Sequence, residues 1–441
     1  MPAGLHNLRR MTNPADAPPG MQERPSSRAV FLVVLVAALG YFVDIFDLLL
    51  FGLVRKKSLL ELMQAELAGK SPQEVDAMLA QAGIWIDNIL QTSGLLVGGL
   101  VWGVIADRYG RLKVLFGSIL AYSVANLLNA HVTTVEQYGL LRFVAGFGLA
   151  GELGAGITLV SELVSRERRG LATTVVAAVG ILGAVAGYFV TQMVEWRTAF
   201  TIGGVLGLAL LALRVGVVES GVFLRAERAH VRHRGAFWLL FWPRERLRRY
   251  LSTVLVAVPI WFVVGTLVKY CDVIMPSLGL PIEEKPNPAR AIMWCYVGLA
   301  LGDLGSGLFS QWMRSRRVAI AAFHGLTVAG LALYFTVGAQ SLPLFYAVIC
   351  FAGFASGYWA VFVTVAAEQF GTNLRGTAAT TAPNVVRWSA AWTGGLWLWL
   401  SGPWGAWQAA LAVALVVMPL AMVATLGLRE SYALDMDYNE D

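Results

Sequence analysis

An all-α membrane protein of twelve transmembrane helices, arranged as two pseudo-symmetric six-helix bundles, is the fold class this sequence predicts. Three observations predict it. The 441 residues are 57% hydrophobic and only 14% charged, with a mean hydropathy of +0.63, whereas a soluble domain is usually about 45–50% apolar and about 25% charged. Twelve windows are apolar over the roughly 20 residues that cross a hydrocarbon core about 30 Å thick. Motifs in the first half of the chain recur, in order, in the second.

The windows centre near Leu39, Gly94, Ala121, Ala150, Gly180, Gly207, Trp261, Gly302, Ala329, Phe354, Ala390 and Val416. Residues 1–27 carry Pro14, Pro18, Pro19 and Pro25 and read as a flexible cytosolic tail. That tail has no basic–apolar–small pattern, so the first span is expected to stay in the membrane rather than be cleaved. Roughly 24 of the 34 Lys and Arg fall in segments that are cytosolic if both termini are inside. The expected units are the tail 1–27, an N-terminal bundle 28–217, a cytosolic linker 218–250, a C-terminal bundle 251–428 and an acidic cytosolic tail 429–441. The longest outer loop is expected at 55–81. The linker, with Arg225, Arg228, Arg232, Arg234, Arg244, Arg246, Arg248 and Arg249, reads as a basic helix lying on anionic headgroups.

Composition also excludes function classes. The formal charge of +6 is spread between apolar runs rather than on one face, so no nucleic-acid partner is expected. Cys271, Cys295 and Cys350 lie in apolar runs, which predicts neither a disulfide framework nor a metal site. Gly146-Phe-Gly148-Leu-Ala-Gly151 fits a dinucleotide pattern but lies inside an apolar helix, where small residues serve close packing. Trp388, Trp392, Trp397, Trp399, Trp404 and Trp407 read as an interfacial belt. His324 is expected at the interface. With no nucleophile–base constellation or phosphate loop, the chain is not expected to be an enzyme. No cofactor is expected, and an ion gradient is the energy source.

The repeat is specific. Span four ends in Glu162, Arg169-Gly170 and Thr173-Thr174, and span ten in Glu368, Arg375-Gly376 and Thr380-Thr381. Gly103-Val-Ile-Ala-Asp107-Arg108-Tyr-Gly110-Arg111-Leu-Lys113 after span two matches Gly307-Leu-Phe-Ser-Gln311-Trp-Met-Arg314-Ser-Arg316-Arg317 after span eight. Glu219-Ser220 follows span six and Glu430-Ser431 follows span twelve. The offsets are 206 (368 − 162), 204 (307 − 103) and 211 (430 − 219), which marks a duplicated six-helix unit.

These residues resemble the major facilitator superfamily over nearly the whole chain. The 103–113 loop resembles its signature between spans two and three. Arg142 followed by Gly146 resembles its span-four motif. Phe46-Asp47-Leu-Leu-Leu-Phe51-Gly52 and the Glu-Ser pairs resemble its sugar-porter, metabolite–proton symporter and organic-ion branches. The resemblance implies two bundles around a central cavity, working by alternating access in a bacterial inner membrane, with the lipid bilayer, protons and a small-molecule substrate as partners and a monomer as the unit. Departures matter too. Gln311 replaces Asp107 in the second signature, span seven lacks the paired glutamines of sugar porters, and span five has Gly180, Gly183 and Gly187 but no proline.

Ionisable residues inside spans are functional candidates. Asp44 and Asp47 share a face of span one. Asp47 and Arg142 lie at similar depth, so packing of their spans would pair them. A carboxylate gives up its proton more readily beside an arginine and regains it when the arginine is withdrawn. The pair reads either as a proton-coupling switch or as a permanent structural ion pair without titration, and the resemblance points to Asp47 as the coupling carboxylate. Glu152, about 15 Å beyond Arg142 along the helix, belongs to a deeper layer, as a second proton or substrate site or as a glutamate satisfied by hydroxyls. Lys269 and Asp272, three apart, either pair with each other or meet substrate. Arg387 requires an acid, a carbonyl or an anionic ligand; Asp303 is the candidate acid, and a guanidinium fork suits a substrate carboxylate. Asp107, Arg108, Arg111, Glu162 and Arg169, with Glu368 and Arg375 in the second half, are expected to form cytosolic gates of ion pairs. The leading function is therefore a proton symporter importing a small polar organic solute, with an organic acid favoured. The alternatives are a proton-coupled exporter of amphipathic or cationic compounds and, remotely, a sensor on the carrier fold.

Overall fold

The computed structural model describes residues 27–109, 111–152, 166–219, 240–281 and 285–432. The tail before Ser27, Glu162, the linker arginines Arg225, Arg228, Arg232 and Arg234, and the acidic tail from residue 433 lie outside the described residues. Among the described residues every regular element is helical. Spans one to six are Ser27–Leu62, the continuous run Pro72–Gly83, Ile84–Gln91 and Thr92–Tyr109, then Arg111–Asn129, Val135–Leu149, Arg166–Met193 and Trp196–Glu219. Spans seven to twelve are the broken run Arg244–Leu255, Val258–Phe262, Val263–Val268 and Cys271–Leu278, then Pro288–Met313, Arg316–Thr336, the pair Leu342–Ala355 and Trp359–Glu368, Thr372–Trp404 and Ala406–Leu426. Eight described helices are long and apolar enough to cross a membrane, and two shorter ones, Val114–Asn129 and Val179–Met193, are apolar too. With spans four and eleven these make the twelve-helix fold. An even number of spans puts both chain ends on one side, here called the terminal side; the other is the distal side.

Local chemistry sets the helix starts. Ser71 accepts from the Glu74 N–H while Glu74 reaches back to the Ser71 N–H, with Pro72 next to the cap. Thr134, Asn287, Ser315 and Ser341 cap spans four, eight, nine and ten through their side chains. Cys271–Leu278 stops at Gly279, whose φ of 114° is left-handed.

The duplication is visible in the packing. A Cβ on Gly94 or Gly98 of span two would lie 2.1 or 2.3 Å from the Phe143 or Phe147 carbonyl oxygen of span four. A Cβ on Gly298 or Gly302 of span eight would lie 1.9 or 2.1 Å from the Cys350 or Phe354 carbonyl oxygen of span ten. Both glycine pairs are offset by 204 (298 − 94 and 302 − 98). Backbone contact this close fits only residues without a side chain. Gly146 and Gly148 likewise press on the Gln91 carbonyl and the Tyr122 amide, which explains the decoy motif as packing.

Span ten breaks midway at residues 356–358, and the described helix of span four ends at Leu149, before the turn at Ala150–Gly151. Span seven breaks before Pro259, which cannot donate a backbone hydrogen bond. The Val256 carbonyl, freed there, accepts from the Tyr358 hydroxyl at 2.9 Å and lies 2.8 Å from His324 Nε2.

Several expectations are corrected. Most of 55–81 is helical rather than loop: span one runs to Leu62, followed by Gln64–Leu67 and Pro72–Gly83. Nothing between Arg55 and Leu62 breaks the helix, and Arg55 is itself buried and paired. Arg244–Leu255 is no separate surface helix but the start of span seven. Its Arg246 and Arg249 are buried against the protein, donating to the Trp242 and Gln369 carbonyls. His324 is buried between span seven and Thr425 of span twelve rather than interfacial. Of the tryptophans, Trp399 and Trp404 are exposed as a belt would be, but Trp397 is buried against Tyr270.

Candidate functional site

A small cavity lies where the two bundles meet. Tyr41 and Ile45 of span one and Ile181 of span five line it from the first half, and Trp261, Tyr296, Trp359 and Arg387 from the second. Its wall is aromatic and aliphatic, with Arg387 as its cationic group.

Arg387 is buried, yet poorly satisfied. Nη1 reaches the Asn384 side chain at 3.4 Å, the guanidinium lies 5.7 Å from the Trp359 ring, and Nε has no hydrogen-bond partner. The expected Arg387–Asp303 ion pair does not form. Asp303 instead accepts from the Ala360 N–H at 3.1 Å. It caps the helix that restarts at Trp359 after the break in span ten, where a helix N-terminus favours negative charge. Asp303 thus fixes the cavity wall, and Arg387 is left to face the cavity.

The Asp47–Arg142 layer exists but is wired differently from the expectation. Arg142 is fully buried and donates to Gln91 at 3.0 Å, to Asn126 at 2.9 Å and to the Asp47 backbone carbonyl at 3.0 Å. Its fork is filled by spans two, three and one, so the Asp47 carboxylate is not its hydrogen-bond partner. That carboxylate turns toward Gly203 of span six, where a Cβ would lie 2.4 Å from Oδ1, and neither oxygen has a hydrogen-bond partner.

Glu152 is neither free nor satisfied by hydroxyls. It forms a two-point ion pair with Arg214 of span six, one contact at 3.0 Å, and both residues are buried. Gly40 of span one makes room for the pair. Asp44, one turn further along span one, lies within electrostatic range of Glu152, Arg387, Asp47 and Arg214.

On the distal side, charges cross between the bundles. Arg55 Nη2 of span one donates to both oxygens of Asp272 in span seven, at 2.7 and 2.8 Å. Lys269 of span seven pairs with Asp87 of span two. All four are buried. The Lys269–Asp272 pair is therefore corrected, since each pairs with the opposite bundle instead. Lys285 adds a more exposed pair with Asp76. Asn88 of span two also donates to the Gly265 and Ala390 carbonyls of spans seven and eleven. The distal side is closed.

On the terminal side, the side chains of Asp107, Arg108, Arg111, Arg169 and Arg375 lie outside the described part, as does Glu162. The second-half cluster centres on Glu368, which pairs with Arg316 at 3.4 Å and accepts from Ser431 at 2.7 Å. Glu430 accepts from Ser315 and from the Arg316 and Arg317 N–H groups. Burial pushes the Glu430 carboxyl up, but these donors and the Tyr432 N–H together hold it below the usual glutamate range.

Sequence reasoning missed Arg214, Arg55, Asp87 and Gln91. Arg55 stands at the edge of the expected outer loop. Arg214 sits within an apolar window, the position that marks an intramembrane charge.

Two six-helix bundles with a cavity between them and charges buried at mid-span define a membrane carrier fold. Comparison with known proteins gives the family: the model described as Major Facilitator Superfamily matches residues 80–382, and the chain belongs to that family. A Bacillus subtilis protein named for niacin/nicotinamide transport is 27% identical over 305 residues, 67% of this chain and 74% of the relative. The 3-(3-hydroxy-phenyl)propionate transporter of Escherichia coli is 27% identical over 314 residues, 67% of this chain and 72% of the relative. The solved structure of a proton:xylose symporter superposes with a TM-score of 0.67 at 15% identity, covering 93% of this chain and 98% of the other, which shows the fold alone. The chain is a multi-pass membrane transporter rather than an enzyme.

Proposed function

We propose that the chain is a proton-coupled symporter that imports a small organic acid across a bacterial inner membrane, with both termini cytosolic. It works as a monomer by alternating access, driven by the proton gradient without a cofactor. The observation that carries this reading is Arg387, a buried guanidinium on the cavity wall with an unpartnered Nε. A buried cation calls for an anion, and a carboxylate fits the fork. The aromatic rings around it suit a flat or apolar body on that carboxylate; one relative is named for 3-(3-hydroxy-phenyl)propionate, a carboxylate, and another for niacin, also an acid, together with its amide.

The proton carrier in this reading is Asp47. A buried carboxylate without hydrogen bonds is costly while charged, and a proton removes the cost. The distal side then faces the periplasm, and the closed distal ion pairs correspond to the stage that releases cargo inward. The test is uptake of labelled niacin and 3-(3-hydroxyphenyl)propionate into proteoliposomes under an imposed proton gradient. Arg387→Gln is expected to abolish uptake of both. Asp47→Asn is expected to abolish accumulation while counterflow exchange persists. Gradient-driven accumulation by Asp47→Asn equal to that of the unmodified protein would remove Asp47 from the coupling role.

A further inference from the structure

Arg387 is not the only arginine near Asp44. Spans one, four, six and eleven bring two carboxylates, Asp44 and Glu152, together with two guanidiniums, Arg214 and Arg387. The pairing within this group is unequal. Glu152 and Arg214 grip each other through two contacts, with Gly40 supplying the space. Asp44 Oδ1 and Arg387 Nε, by contrast, are buried without a hydrogen-bond partner. Among the described residues, Asp47 and Tyr41 on its own helix and Tyr122 of span three also lie in electrostatic range of Asp44.

With all four groups ionised, their charges cancel: two negative, two positive. A carboxylate substrate bound to Arg387 adds one negative charge and engages the cation that offsets Asp44. One carboxylate of the cluster must then take a proton from water, because an uncompensated charge in this setting is strongly unfavourable. Glu152 is shielded from that role by its bidentate partner. We propose that Arg214 is a positioning residue for coupling: by keeping Glu152 ionised, it makes Asp44 the group that takes up a proton when an anion occupies Arg387. The inference rests on the reading of Arg387 as an anion site, and it adds a second proton-binding group beside Asp47.

Two measurements separate the inference from that reading. The first needs no substrate: the infrared band of protonated carboxyl groups in the purified, reconstituted protein at pH 7. Arg214→Gln is expected to add one protonated-carboxyl band, which disappears in Arg214→Gln/Glu152→Gln and is absent in Arg214→Lys. An unchanged band in Arg214→Gln overturns the inference, and should that variant fail to fold, Arg214→Met takes its place with the same two outcomes. The second is proton uptake on adding niacin, followed with a pH-sensitive dye. Uptake is expected to be lost in Asp44→Asn and retained in Glu152→Gln; uptake retained in Asp44→Asn overturns the inference. If niacin and 3-(3-hydroxyphenyl)propionate fail to bind the unmodified protein at all, the anion reading of Arg387 falls, and the infrared result still decides what Arg214 does to Glu152.

Discussion

Removing Arg55 should open the distal side, and removing its partner as well should close it again. At 2.7 Å and an effective dielectric of about 20, the Arg55–Asp272 attraction is about 6 kcal/mol, and desolvating the two ions costs a comparable amount. The pair is therefore near balance as a whole. Arg55→Leu upsets that balance, because it leaves Asp272 buried without its cation, at about 3–5 kcal/mol. One decade is about 1.4 kcal/mol, so the closed form loses roughly a hundredfold or more in population relative to the open form. Asp272→Leu should open less, because Arg55 keeps the Tyr270 ring 4.6 Å from its guanidinium. In Arg55→Leu/Asp272→Leu no charge is stranded, and the closed form should return. The assay is a spin-label distance measurement between Cys residues placed at the exposed positions Glu66 and Pro281, one in each half, with Cys271, Cys295 and Cys350 replaced. Single and double variants that give the same distance distribution would refute the gate, since loss of packing alone predicts no reversal.

The backbone contacts of the repeat make a second prediction: Gly298→Ala should destabilise by about 1–3 kcal/mol because its Cβ would meet the Cys350 carbonyl at 1.9 Å. Gly307→Ala, with open space around it, should lie within about 0.5 kcal/mol of the parent in the same thermal-melt series. Gly203→Ala, whose Cβ would displace the Asp47 carboxylate, should lower gradient-driven accumulation more than it lowers the melting temperature. For Glu430, the folded carboxyl is held below its usual range, so its contribution is present above the unfolded value and disappears as pH falls through the folded one. Glu430→Gln should therefore melt lower than the parent at pH 7, and the difference should vanish at acid pH below the usual glutamate range; a gap that persists there would assign the effect to hydrogen bonding alone.

What the sequence disclosed and what it withheld divide along one physical line. Depth in the membrane is read along the chain, because a helix advances a fixed rise per residue. The level of Asp47 and Arg142 was legible for that reason, and the structure brings Arg142 to the Asp47 carbonyl. The rotation of each helix about its axis is not read along the chain. It decides that the Arg142 fork meets Gln91 and Asn126 rather than the Asp47 carboxylate, and that Glu152 meets Arg214. The repeat could be read because its glycines act through sequence-local spacing on a neighbouring backbone. The gate could not, because its partners are 217 and 182 residues apart.

Lys269 and Asp272 show how a sound local rule fails. Residues three apart are neighbours on a regular helix. Here the π-helical segment Val263–Val268 ends and a new helix begins at Cys271, so the turn at Lys269–Tyr270 parts the two side chains. Each turns toward a different helix of the opposite bundle, Lys269 to span two and Asp272 to span one. The irregularity that defeated the local pairing is thus what lets one short stretch of span seven bind two helices of the first bundle. The break in span ten flanks the cavity, with Trp359 at the restart. The departures from helical regularity therefore coincide with the charges that cross or face the bundle interface, which is where a carrier must change its contacts to move its cargo.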